Sequence, residues 1–171
     1  MKNSKPASIF ALSFVLFALP CLAFAANDKG KEVSAEHRSK VAEIVQQLTA
    51  VVGQDKNIGQ EIRQIAQEQN TTTERMVTKI EKIETRGKLK TFLIGTDYKN
   101  IGALRSELVT TANHIDRLEK ALERTDSEEI KTELNAQITA LKEAQIKVES
   151  FIKTNENKFS LLGWLVKLFN Q

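Results

Sequence analysis

The side chains that could do chemistry are few and scattered. The histidines are His37 and His114. Asp116 follows His114 by two residues, a spacing that does not put both side chains on one helix face. A lone histidine in a helix reads as a surface or seam-edge residue rather than a ligand. No His-Glu-x-x-His pair, EF-hand loop or Walker loop occurs. The acidic pairs Glu128-Glu129 and Glu81/Glu84 fall on segments that read as solvated helix. General acid–base catalysis needs a carboxylate in a water-poor pocket with a shifted pKa. Ser106 and Ser160 have no histidine partner evident in the sequence, and Gly95 to Tyr98 is too short a signal for phosphate binding. The sequence therefore predicts a non-enzyme with no catalytic residue, no cofactor and no metal site. The one remaining route to catalysis or metal binding is a site formed only on oligomerisation.

Asn70-Thr71-Thr72 fits the Asn-x-Thr glycosylation pattern. The neighbouring run 64–70 is rich in Gln and Asn. It reads as a polar helix face or as a hydrogen-bonding layer in a coiled coil, where polar seam residues set register or oligomer state.

The N-terminus bounds the rest. Lys2 and Lys5 precede an apolar run from Ile9 to Leu19 that is too short for a stable membrane span. Pro20 then breaks the helix, and Ala23-Phe24-Ala25 supplies small residues for cleavage before Ala26. Residues 1–25 read as a secretory signal peptide, with a lipoprotein at Cys21 and an uncleaved anchor as the alternatives. Cys21 is the only cysteine, so the mature chain has no thiolate chemistry and no disulfide. The formal charge of +3 falls to about +1 once Lys2 and Lys5 leave with the leader. A nearly neutral chain with interspersed charge signs has no nucleic-acid footprint. The expected setting is exported: periplasmic, cell-surface or extracellular, with membrane association open.

The elements that would position any site are helices. Both prolines, Pro6 and Pro20, lie in the leader, and the remaining composition is dominated by strong helix formers. After a polar leader (26–33), apolar residues recur at three- and four-residue steps: Val41, Ile44, Leu48, Val51, Ile58, Ile62, Ile65, Met76, Ile80 and Ile83. This predicts a long helical arm over 34–87, weakened at Gly53 and Gly59, with its best break at 70–73. Thr71 and Glu74 have capping-box spacing there. Residues 88–97 form a joint at which the helical period lapses. A second seam runs Tyr98, Ile101, Leu104, Leu108, Thr111, Ile115, Leu118, Leu122, and a third runs Ile130, Leu134, Ile138, Leu141, Ala144, Val148, Ile152. Two such segments joined by a polar turn near 125–127 predict an antiparallel helical hairpin over 98–156. An apolar tail, read as a short helix, closes the chain at 157–171. The expected fold is all-α: a long amphipathic helix, a helical hairpin and that C-terminal helix.

In an antiparallel hairpin, beginning and end lie together. The joint residues Phe92, Leu93 and Ile94 should therefore meet the tail residues Phe159, Leu161, Leu162, Trp164, Leu165, Leu168 and Phe169. These are the interaction or membrane candidates, with lysines around them. Two readings follow: a mini-core that locks the helices together, or an exposed cluster that docks on a membrane surface or a protein. The expected function is an exported structural or interaction protein acting through its helical seams and this apolar cluster. Its partner is an envelope protein or a second copy through a coiled coil. The alternative is a peripheral membrane protein docking through 89–94 and 159–169.

The segments Gly59 to Asn70, Phe92-Leu93-Ile94-Gly95-Thr96-Asp97-Tyr98-Lys99 and Phe159-Ser160-Leu161-Leu162-Gly163-Trp164-Leu165-Val166-Lys167-Leu168-Phe169 resemble a family of uncharacterised, signal-peptide-bearing helical bacterial proteins. In that pattern a proline stands at Thr96 and a phenylalanine at Leu162. The resemblance implies a bacterial envelope setting and brings no catalytic residues.

Overall fold

The computed structural model describes residues 29–51, 57–156 and 158. Among these, every regular element is a helix: α1 (Lys29–Val51), α2 (Gly59–Thr85), α3 (Lys88–Ile94), α4 (Tyr98–Arg124) and α5 (Glu128–Glu156). The four long helices have 23 to 29 residues, about 35–44 Å each at 1.5 Å per residue.

The arm expected over 34–87 is two helices. Its continuity fails between Val51 and Gly59, not at 70–73. The physical reason lies in what each site offers the backbone. Gly53, Asp55, Asn57 and Gly59 are a cluster of poor helix formers. Across 70–73 the threonines are accommodated inside the helix. Thr71 Oγ1 donates to the Gln67 carbonyl at 3.2 Å, and Thr72 and Thr73 are buried. Thr71 therefore bonds within the helix instead of capping it.

The second half is joined by explicit caps. Asp97 accepts from the Asn100 amide at 3.3 Å at the start of α4. Ser127 Oγ accepts from the Ile130 amide at 3.4 Å at the start of α5, where Glu128 and Glu129 also suit the helix dipole. Thr125 Oγ1 accepts from the Ser127 amide at 3.3 Å and closes the three-residue turn.

The long helices form a closed ring in which α1 packs on α2 and α5, and α4 packs on α2 and α5. Ion pairs fix the directions. Lys40–Glu143 and Glu36–Lys147 run α1 against α5. Arg75–Glu107 and Arg124–Glu61 run α2 against α4, and Glu119–Lys142 and Arg105–Glu156 run α4 against α5. In each set the residue number rises on one helix as it falls on the other. The result is an antiparallel four-helix bundle.

The apolar seams are spent on this core. Val41, Ile44 and Leu48 of α1 lie with Ile62, Ile65, Met76, Ile80 and Ile83 of α2 among the buried side chains. All seven members of the α5 seam are buried too. On the α4 seam Leu108 and Leu122 are partly buried, and Tyr98 is 66% exposed because it starts the helix at the bundle's end. The core divides into two apolar clusters, one around Leu48, Ile62, Leu118 and Leu134, the other around Met76, Ile80, Leu104 and Phe151. Between them on α2 and α4 lie the buried polar residues Gln69, Thr72, Thr73, Thr111 and His114.

Truncating a side chain in this core should leave a cavity. Leu118→Ala, at 0% exposure, is expected to lower unfolding free energy by about 2–5 kcal/mol. The exposed neighbour Val109→Ala should change it by no more than about 0.5 kcal/mol. Urea denaturation of both variants checks this.

Candidate functional site: the apolar end built on α3

Bundle topology gathers one set of ends. The start of α1, the end of α2, all of α3, the start of α4 and the end of α5 share one face, opposite the end of α1, the start of α2 and the 125–127 turn. α3 is a seven-residue helix with no buried residue. Leu89, Phe92 and Leu93 fall at i, i+3 and i+4 and form one stripe. Leu89 is 71% exposed and Ile94 60%; Phe92, Leu93 and Tyr98 are exposed with them. Lys88, Lys90 and Lys99 flank the stripe in sequence and are exposed.

Two tethers and a glycine turn fix this helix at the bundle's end. Arg86 precedes α3 and Asp97 follows it, and their charged groups meet at 3.4 Å with only 15% and 16% of the side chains exposed. The pair closes the loop that carries α3 at its base. Thr96 Oγ1 donates to the carbonyl of Glu156 at 3.0 Å and lies 3.3 Å from that of Asn155. These are carbonyls at the C-terminal end of α5, which lack a partner further along the helix. The Thr96 hydroxyl thus ties the joint to α5, a bond that proline at this position could not make. Gly95 ends α3 at φ 97°, its amide donating to the Thr91 carbonyl at 2.8 Å. That left-handed geometry is the only positive φ among the described residues and suits glycine.

The electrostatics of the tether favour ionised Asp97. Burial raises its pKa, but hydrogen bonds from the Asn100 side chain and amide and the charge of Arg86 outweigh burial and leave it lowered. Arg86 Nε itself is buried without a hydrogen-bond partner.

Away from this end, the residues with chemical potential are already engaged. Ser106 Oγ donates to the Gly102 carbonyl at 3.3 Å, and Glu128 pairs with Lys131 at 2.7 Å on the surface. Glu81 pairs with Arg38. The described residues hold no group of three His, Cys, Asp or Glu placed to bind a metal ion. A surface dent of about 270 Å³ on the outer side of α2 is lined by Thr71, Glu74, Arg75, Thr78 and Lys79. Thr72, the hydroxyl residue of the glycosylation pattern, is buried in mid-helix and accepts from Arg75 at 3.3 Å.

Both histidines are buried, against the surface or seam-edge placement expected from their sequence neighbours. His114 Nδ1 lies 2.7 Å from Gln69 Oε1, and its Nε2 lies 3.4 Å from Glu68. The Gln69 amide nitrogen reaches Thr73 Oγ1 at 3.3 Å and Thr111 Oγ1 at 3.4 Å. Of the two readings of the Gln/Asn run, Gln69 realises the hydrogen-bonding layer, formed inside one chain. Burial lowers the His114 pKa; Glu68 opposes this, and Arg117 and Arg75 reinforce it.

Of the sequence-predicted site residues, Phe92, Leu93 and Ile94 are brought together on α3. Phe159, Leu161, Leu162, Trp164, Leu165, Leu168 and Phe169 lie outside the described residues. The described chain does deliver Lys158 to this end, two residues beyond α5. The residues that sequence reasoning missed are Arg86 and Thr96 as tethers. Their signal is weak: a cation and a hydroxyl bracketing a short apolar run. Among the described residues no helix is long and apolar enough to cross a membrane. No family model, curated protein or solved structure matches the chain.

The tether makes a graded prediction. Asp97→Ala removes both the α4 cap and the partner of a partly buried guanidinium, whereas Asp97→Asn keeps a capping oxygen. The alanine variant should lose about 1 kcal/mol or more, and the asparagine variant less. Because the folded pKa is lowered, the carboxylate's contribution is present above the ordinary range near 4 and is lost as pH falls through the lowered value. Urea titrations at pH 7 should separate the variants, and the difference between wild type and Asp97→Asn should narrow as the pH is lowered.

Proposed function

We propose that this is an exported docking protein without catalytic activity, whose working surface is the α3 end and whose target is a membrane surface. The observation that carries the reading is the tethered α3 stripe. Leu89, Ile94 and Tyr98 are more than half exposed, and Phe92 and Leu93 partly so, on and beside a helix with no fully buried residue. Monomeric proteins seldom leave such a cluster in water without use.

The flanking chemistry selects lipid among apolar targets. Lysines at 88, 90 and 99 border the stripe, and the nearby acid Asp97 is already held by Arg86 and Asn100. Apolar side chains with lysine stems at their edge match the boundary between acyl chains and anionic headgroups. The segment 159–169 adds Trp164 and further apolar residues to the same reading, since the chain reaches it from the end of α5. Trp is favoured at the membrane–water interface. The seam side chains are occupied in the intramolecular core, so the reading rests on the α3 end rather than on the helix seams. The signal-peptide pattern at 1–25 supports an envelope setting.

Flotation with vesicles containing phosphatidylglycerol tests this. The wild type should float. Leu89→Ser combined with Phe92→Ser should reduce binding at least about tenfold, as loss of two buried apolar side chains implies. Lys90→Glu with Lys99→Glu should weaken binding in low salt. Removal of 159–171 should weaken it further. A wild-type protein that stays at the bottom of the gradient would exclude lipid as the target and return the α3 end to a protein partner; variants that float as well as the wild type would exclude α3 as the docking surface.

A further inference from the structure

The second buried histidine has an environment unlike the first. His37 lies on α1 between Val33 and Ile44, which belong to the two apolar clusters. It is 6% exposed, and neither Nδ1 nor Nε2 has a hydrogen-bond partner. His114, by contrast, has an acceptor at each nitrogen, Gln69 Oε1 and Glu68. A proton arriving on His114 finds both. A proton arriving on His37 finds neither and places an unpaired cation in the core, which strongly disfavours the packed state.

The surrounding charges do not remove this asymmetry. On α1 the neighbours are Glu36, Arg38 and Lys40. Across the interface with α5, Glu36 pairs with Lys147 and Lys40 with Glu143. From α2, Glu81 pairs with Arg38. Glu36, Glu143 and Glu81 are thus each matched to a cation. α1 is the first of the described helices and packs on α2 and α5.

We propose that α1 is an acid-released strap: protonation of His37 detaches α1 from α2 and α5 while His114, with its two acceptors, keeps α2 docked on α4. The inference stands independently of lipid docking at α3. Burial lowers the His37 imidazole to about 4, with Glu36 opposing slightly. The sign follows. A buried neutral histidine adds no pH-dependent cost above the unfolded value near 6.5. It destabilises the docked helix progressively as pH falls from there towards 4. At pH 5 the bias towards released α1 should rise about 30-fold over that at about pH 7.5.

Hydrogen exchange on the whole protein, corrected for intrinsic rates, reads this directly. Between pH 7.5 and pH 5, α1 amides should lose protection by about 30-fold, while α4 and α5 keep theirs. His37→Leu should hold α1 protected at pH 5. Retained α1 protection in the wild type, or equal loss in His37→Leu, would overturn the proposal. Should His37→Leu fail to fold, NMR titration of the two wild-type imidazoles decides. His37 titrating near 6.5 with α1 still docked overturns it; titration well below His114, or coupled to loss of α1 resonances, supports it.

Discussion

Among the described residues each helix carries a single apolar stripe, and the structure depends on closing four of these stripes around one core. An amphipathic helix alone cannot hold its shape in water; its stability comes from tertiary burial of that stripe. The ring α1–α2–α4–α5 gives each stripe two neighbours, so no long helix is left with an open seam. Ring closure also fixes polarity. Antiparallel neighbours send the ends of α2 and α5 and the starts of α1 and α4 to one side, and the short α3 must lie there because it links α2 to α4.

That constraint turns a connection into a surface. A linker between antiparallel neighbours can be short and polar, as Thr125-Asp126-Ser127 is at the opposite end. The 86–97 linker instead contains an apolar helix, and its base is clamped by Arg86–Asp97 and by Thr96 against the last carbonyls of α5. The clamp removes conformational freedom from the loop in the free protein, so in the proposed docking less is lost when α3 meets its target. On that proposal, polar contacts at the base position the helix and the apolar stripe supplies the affinity.

Much of the bundle was legible in the sequence, and the failures have physical causes. The α5 seam could be read residue by residue because a long period averages out local noise. The break in the first arm was misplaced because β-branched Thr71, Thr72 and Thr73 look unfavourable in an isolated helix. In the bundle Thr72 and Thr73 are buried at the polar layer, so packing overrides propensity. The glycines at 53 and 59 were visible as weak points. What was missing was that breaking there lets the arm fold back and bury both halves. Phe92, Leu93 and Ile94 stood out because they interrupt a pattern, yet seven residues are too few to reveal a helix or its direction. The histidines misled because burial depends on which neighbours a closed ring supplies, and short-range spacing carries no record of that. The Arg86–Asp97 and Thr96–Glu156 tethers join residues 11 and 60 positions apart, beyond any local signal.

The central claim is that the bundle presents α3 to a membrane with the opposite end in water. Depth measurement tests it most directly. Nitroxides are placed at Ile94→Cys on α3 and at Asp126→Cys in the far turn, in a Cys21→Ser background, and their collision rates with oxygen and with a water-soluble relaxant are compared on anionic vesicles. The label at position 94 should be reached by oxygen and shielded from the aqueous relaxant, and the label at 126 should show the reverse. Equal aqueous accessibility at both positions on vesicle-bound protein would contradict the account.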